Sequence, residues 1–131
     1  MATDLTIVLP DRPGALVSAW NQLKAAGVNI DGVCGFPQQG TTWGFLHLLV
    51  EDPQGARRAI EAAGFQIAEE RSVEVHVAED RPGALASVFE AIASSGRNID
   101  LMYVAANNRI VIGTDDSHQD RSGYSTLGEK R

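Results

Sequence analysis

Asp11-Arg12-Pro13-Gly14-Ala15-Leu16 returns letter for letter as Asp80-Arg81-Pro82-Gly83-Ala84-Leu85, 69 residues further on. Asn29-Ile30-Asp31 returns as Asn98-Ile99-Asp100 at the same offset, and between these anchors Trp20 aligns with Phe89, Leu23 with Ile92 and Gly27 with Gly96. Two identical motifs in one register, with matched apolar positions between them, mark an internal duplication. Ahead of the first copy Leu5, Ile7 and Leu9 alternate, and ahead of the second Val73, Val75 and Val77 do, as in strands with one buried face. Proline disfavours helical geometry at the residue before it and is tolerated in a first helical turn. Helices are therefore expected from Pro13 and Pro82, with Asp11 and Asp80 close enough to cap them. Leu16, Ala19, Trp20, Leu23 and Ala26 share one helical face, and so do Leu85, Val88, Phe89 and Ile92. Gly27 and Gly96 stand where a helix ends in a left-handed residue.

The remainder of the first copy reads as a strand from Asn29 to Phe36, a turn at Pro37-Gln38-Gln39-Gly40 and a returning strand from Thr42 to Val50. Asp52-Pro53 opens a second helix with Ala56, Ala59, Ile60 and Ala63 on one face and Gly64 as its stop. Phe65 to Glu70 completes a β-α-β-β-α-β order, the split βαβ of ferredoxin-like folds. The second copy follows this order only to Asp115, through a strand from Asn98 to Ala105, a turn at Asn107-Asn108 and a strand from Arg109 to Gly113. From Ser117 to Arg131 the chain is polar, with Tyr124 and Leu127 as its only large apolar residues. Each internal glycine in a helix there costs about 1 kcal/mol against alanine, so no stable helix and no fourth strand are expected. The fold class expected is α+β: tandem ferredoxin-like modules, antiparallel sheets with helices on one face, the second copy truncated. The expected units are a complete module over 1–71, an incomplete one over 72–115 and a polar tail over 116–131.

With 44% hydrophobic residues the chain can bury a core, and its net charge of -6 repels phosphate backbones and anionic lipid. Neither nucleic acid nor membrane is therefore an expected partner, and no apolar run approaches the roughly 20 residues of a bilayer span. Met1-Ala2-Thr3-Asp4-Leu5 shows no basic segment leading into an apolar one, so no signal peptide is expected. Cys34 is the single cysteine, which excludes an internal disulfide and a multi-thiolate metal site and fits a reducing cytoplasm.

A strand, Asp-Arg-Pro-Gly and a helix, followed by an Asn-Ile-Asp strand start, resembles the ACT domain family. Both features stand here twice, at 11–16 with 29–31 and at 80–85 with 98–100, and the resemblance spans roughly Asp4 to Asp115. It implies a regulatory protein that binds an amino acid or other small ligand at a domain–domain interface and acts on a regulated enzyme or transcription factor. It also implies that strand-start residues come to the site from a neighbouring module.

The residues themselves suit such a ligand. A helix start offers free amides and a positive dipole end to a carboxylate, and Gly14 or Gly83 lets a ligand approach the backbone. Acceptors for an ammonium are Asp11, Asp31 and the Asn29 amide oxygen, or Asp80, Asp100 and Asn98. The candidate ligand-binding residues are Asp11, Arg12, Pro13, Gly14, Ala15, Leu16, Asn29, Ile30 and Asp31, with Asp80, Arg81, Pro82, Gly83, Ala84, Leu85, Asn98, Ile99 and Asp100. The same motifs also serve as an ordinary helix start and a turn with one buried isoleucine. Arg12 and Arg81 are expected to be solvated. His47, His76 and His118 lack metal-ligand spacing and read as exposed strand or tail histidines. Cys34 and Trp43 read as packing residues, and Trp20 and Phe89 as core.

The function expected is non-catalytic ligand sensing. The alternative is an oligomerisation or interaction module of the same type that binds nothing small. An enzyme is not expected, because no nucleophile motif, phosphate loop or metal cluster stands in the sequence, and neither cofactor nor metal is implied. A homodimer is expected, because helices on one face of each sheet leave the other face or an edge to be covered.

Overall fold

A computed structural model describes residues 2–127. The elements are β1 (Ala2–Pro10), α1 (Ala15–Ala25), β2 (Ile30–Pro37), β3 (Trp43–Val50), α2 (Pro53–Ala62) and β4 (Ile67–Val77). They continue with α3 (Ala86–Ser94), β5 (Ile99–Ala105), β6 (Arg109–Thr114), β7 (His118–Asp120) and α4 (Ser122–Leu127).

Two separate ferredoxin-like sheets in tandem do not form. Instead six strands close on themselves in the order β1-β3-β2-β5-β6-β4 with β4 returning to β1, an antiparallel barrel with four short helices. The physical reason is the length and sharing of β4. Its first part, Ile67 to Val73, pairs with β1, and its last part, Glu74 to Val77, pairs with β6. The strand expected to end at Glu70 thus runs on into the one read at Val73, Val75 and Val77, and the division at residue 71 falls within it. The second closing contact is between β2 and β5, where Gly32 pairs with Ala105 and the Ala106 amide donates to the Asp31 carbonyl at 2.9 Å. The β2–β5 seam is paired at that one position, so the ring of strands covers part of the edges on which the expectation of a dimer rested.

Alternation decides what lies inside. On β1, Leu5 and Ile7 face outward and pack under α1 and α2 with Ala19, Leu23, Ala56 and Ile60. Asp4 and Thr6 point the other way, into the barrel, and both are fully buried. Around them the interior holds Leu49, Val73, Tyr103, Ala105 and Val111. A third cluster, Ile92 with Ile110 and Ile112, fastens α3 to the outside of the second half.

The helices begin later than Pro13 and Pro82. Gly14 and Gly83 have φ of 85° and 72°, a left-handed geometry that a right-handed helix excludes, so the helices start beyond them at Ala15 and Ala86. Arg-Pro-Gly forms a turn instead, closed by the Ala15 amide on the Arg12 carbonyl and the Ala84 amide on the Arg81 carbonyl, both 3.2 Å. The N-cap positions are Gly14 and Leu85 with no side-chain cap, so neither Asp11 nor Asp80 caps its helix. In α2, Asp52 does, accepting from the Gly55 amide at 3.0 Å. Gly27 and Gly96 take the expected left-handed geometry at the helix ends.

The segment after Asp116 also departs from expectation, since it is neither strandless nor helix-free. β7 pairs with β4 at Glu70 and Arg71, and α4 follows it. Gly123 permits this docking: a Cβ there would lie 2.1 Å from the Ile67 carbonyl oxygen. The Gln66 side chain donates through Nε2 to the Gly123 carbonyl at 3.2 Å, and the Tyr124 ring meets Phe45 edge-on at 5.4 Å. The expectation for residues 128–131 and for the Leu127 side chain lies outside the described residues. Among the described residues no helix is long and apolar enough to cross a membrane.

Candidate functional site

The first repeat's helix start borders an open groove of about 750 Å³ between α1, β2 and the β1–α1 turn. Its walls are largely apolar: Leu16, Val17 and Trp20 from α1, Val33 and Phe36 from β2, and Phe45 from β3. Among the described residues Asp11 is the one charged residue in that lining, and Asn21 is the other strongly polar side chain. Trp20, expected in the core, is 40% exposed here because its face of α1 overhangs the groove. Gly14 forms the mouth of the turn, and the position a Cβ would occupy is open space. Because no side chain caps α1, its opening amides are left to backbone turns and to whatever enters from outside.

The other candidates of the first repeat are dispersed. Arg12 and Ala15 line a hollow of about 510 Å³ on the opposite side of α1, with Gln22, Trp43 and Phe65. Pro13 is exposed in the turn. Asn29 donates through its side-chain amide to Asp31 Oδ1 at 3.3 Å, and Ile30 packs against the core under the helices. None of Asn29, Ile30 or Asp31 lines the groove.

In the second repeat the matching residues are differently engaged. Asp80, Pro82 and Gly83 are exposed and Ala84 is half-buried. Arg81 pairs with Glu79 at 2.9 Å on the surface. Leu85 and Ile99 pack against Ile92 and its neighbours, and the Asn98 amide donates to Asp115 Oδ1 at 3.1 Å. Asp100 is held by the chain itself: Arg71 Nη2 donates to its Oδ1 at 2.7 Å, and His118 Nε2 lies 2.9 Å from its Oδ2. Burial opposes ionisation of Asp100, but the bonds from Arg71 and His118 outweigh it and hold the carboxyl below its usual range.

A group of residues that the sequence did not single out fills the barrel interior. Asp4 accepts from Thr6 Oγ1 on Oδ1 at 3.0 Å and from the Tyr103 hydroxyl on Oδ2 at 2.7 Å. His47 Nδ1 lies 3.1 Å from Asp4 Oδ1 and 3.0 Å from Thr6 Oγ1. With the threonine proton directed at Asp4, the threonine oxygen accepts from Nδ1–H, which places the histidine proton on Nδ1. Burial, with the Asp4 carboxylate beside it, pushes the Tyr103 hydroxyl far above its usual range. His47 is therefore not an exposed strand histidine; it is 6% exposed, with Phe36 stacked at 5.7 Å. His118 is not a free tail histidine either, since its Nδ1 meets Glu69 while its Nε2 meets Asp100. Cys34 packs partly buried against the same interior cluster.

No family model matches the chain. No curated protein matches it either. Among solved structures, protein BT0572 from Bacteroides thetaiotaomicron is similar at 27% identity, with 98% of this chain and 88% of that chain covered and a TM-score of 0.75. The regulatory subunit of aspartate kinase from Thermus flavus is similar at 21% identity over 86% of this chain and 82% of that chain, TM-score 0.60. The corresponding subunit from Thermus thermophilus, in its ligand-free form, is similar at 20% identity over 96% of this chain and 87% of that chain, TM-score 0.58. At these identities the two aspartate kinase subunits show a shared fold.

Proposed function

We propose that this chain is a non-catalytic regulatory protein of the ACT type that binds a small ligand, an amino acid, in the groove at the start of α1. The groove itself carries the reading. It joins a single carboxylate, Asp11, to an uncapped helix start and to apolar walls, with no cationic side chain among the described residues of its lining. The Asp11 carboxylate suits the ligand's ammonium, the opening amides of α1 suit its carboxylate, and Leu16, Trp20 and Phe36 suit an apolar side chain. The fold shared with aspartate kinase regulatory subunits supports regulation as the role. In this reading 1–71 and 72–115 are copies of one ancestral unit, 116–131 is a C-terminal tail, and the protein acts in the cytoplasm on a regulated enzyme or transcription factor.

A thermal-shift screen of the twenty amino acids tests this. A ligand at about 100-fold over its dissociation constant adds roughly 2.7 kcal/mol of apparent stability. Asp11→Asn, an exposed change, is expected to abolish that shift and leave the unliganded melting temperature unchanged. A shift that survives in Asp11→Asn places the ligand elsewhere, and no shift with any amino acid removes the proposal.

A further inference from the structure

His118, the first residue of β7, has a carboxylate against each of its ring nitrogens. Glu69 of β4 meets Nδ1, and Asp100 of β5 meets Nε2 with its Oδ2 at 2.9 Å. A neutral imidazole has one N–H and one bare lone pair, so it donates to only one of them. The doubly protonated ring donates to both. Charge points the same way. Glu69 is 2% exposed, and among the described residues His118 is its only ion-pair partner. Arg71, the other cation of the group, is committed elsewhere. Its Nη2 donates to Asp100 Oδ1 and to the Thr114 carbonyl, both at 2.7 Å, and to Ser117 Oγ at 3.0 Å. Two carboxylates thus share one guanidinium, and the group is neutral only when His118 carries a positive charge. A buried charge left unbalanced is costly.

We propose that His118 is a proton-operated latch: its doubly protonated ring fastens β7 and α4 to β4, and loss of one proton loosens them. Packing of Gly123 and Tyr124 also holds this segment, but its backbone pairing is thin. β7 pairs with β4 at two positions with a register shift between them, and α4 has six residues. The contact of Arg57 Nη2 with Asp120 Oδ2, at 3.6 Å, is exposed to water and adds little. The other ionisable groups around the ring come from every element packed there. Glu69 and Arg71 lie on β4 and Asp100 on β5, and Tyr124 of α4 reaches Glu69. Asp116, ahead of β7, is tied to the Thr114 hydroxyl at 2.6 Å. Thr6, in register with Glu69, leads on to Asp4 and His47 in the interior. Arg71 and His118 hold the Asp100 carboxyl below its usual range against the opposing effect of burial, so it stays charged from mildly acid pH upward. Burial pushes the Tyr124 hydroxyl up to about 12, so it stays protonated. Histidine is the side chain that ordinarily changes charge between about pH 5 and 8. The latch contacts belong to the charged ring, so they are present on the acid side of that range and lost as pH rises. His118, Glu69, Asp100 and Arg71 line no part of the groove proposed for the ligand, and the latch does not depend on what that groove takes.

Trypsin cleavage after Arg121, the exposed residue just before α4, reads the latch on the full chain. Cutting there follows the population in which the segment is undocked. At about pH 6 the wild type is expected to be cut on the order of tenfold more slowly than His118→Gln, whose amide is uncharged and donates from a single nitrogen. At about pH 8.5 the two are expected to be cut at similar rates. Comparing the two proteins at each pH cancels the protease's own pH dependence, and circular dichroism melts confirm that the variant is folded. The wild type alone supplies a second reading. The nitrogen chemical shifts of the His118 ring at about pH 6 are expected to show a proton on both nitrogens. A ratio of cleavage rates that is the same at both pH values overturns the proposal. So does a His118 ring with one bare nitrogen at the lower pH.

Discussion

Gly32 makes the seam between the repeats possible, because a Cβ there would stand 2.8 Å from the Ala105 Cβ and 3.3 Å from the Tyr103 ring. Neither neighbour is a flexible side-chain end, so Gly32→Val should force β2 and β5 apart. The expected cost is about 1–3 kcal/mol, read from urea unfolding, and an unchanged midpoint would show that the seam adds nothing to stability. A second residue-scale test concerns Asp4. The Tyr103 hydroxyl is the donor to its Oδ2, so Tyr103→Phe leaves a fully buried carboxylate oxygen short of a bond at a cost of about 1–3 kcal/mol. The interior network was not legible beforehand, for a definite reason. Alternation along Leu5, Ile7 and Leu9 locates the core beneath the helices, and the same rule assigns Asp4 and Thr6 to the opposite, solvent-facing side. Only closure of the barrel turns that side inward, and closure depends on pairings between residues far apart in sequence. Asp11, Gly14 and Leu16 were legible as a candidate site because the turn, the glycine and the helix that place them are all local.

At the scale of elements, β7 and α4 are where local reasoning fails most plainly. A six-residue helix containing a glycine has little stability of its own. It forms because Gly123 fits against the backbone of Ile67 and Ala68, and because Tyr124 is buried enough for its hydroxyl to be pushed up to about 12. Removing Ser117 to Arg131 is therefore expected to lower unfolding free energy by at least about 2 kcal/mol, the scale of burying one large side chain. A melting temperature that barely moves would return the segment to the status of a dispensable tail. The join between β7 and the barrel also carries a pH dependence. The folded Asp100 carboxyl lies below its ordinary value, so its contribution is fully present above the unfolded value near 4. It is lost as pH falls through the lower, folded value, when protonation weakens the contacts to Arg71 and His118. Urea unfolding between neutral and acid pH should show this as a fall in stability that is shallower in Asp100→Asn. Equal slopes in the two proteins would mean that Asp100 titrates alike in both states.

At the scale of the whole molecule, the duplication raises the question of whether two units unfold or one. The sequence reading places a boundary between them at residue 71. The barrel binds them together through β4, which pairs with β1 along its first part and with β6 along its last. Neither half can lose its sheet without stripping that strand of half its partners, and β5 would then leave the edge of β2 bare. One cooperative transition is therefore expected. For 131 residues the unfolding enthalpy near 60 °C should be about 90 kcal/mol from a typical 0.7 kcal/mol per residue. If the chain melts as one unit, the van't Hoff enthalpy equals the calorimetric one. If the repeats melt independently, the van't Hoff value falls to about half of it, since each transition then involves half the chain. Scanning calorimetry at several protein concentrations distinguishes the two. A ratio near one supports the shared strand as the element that unites the repeats. Two resolved transitions, or a ratio near one half, would mean that β4 can release one repeat while holding the other, and that closure of the barrel contributes little to its stability.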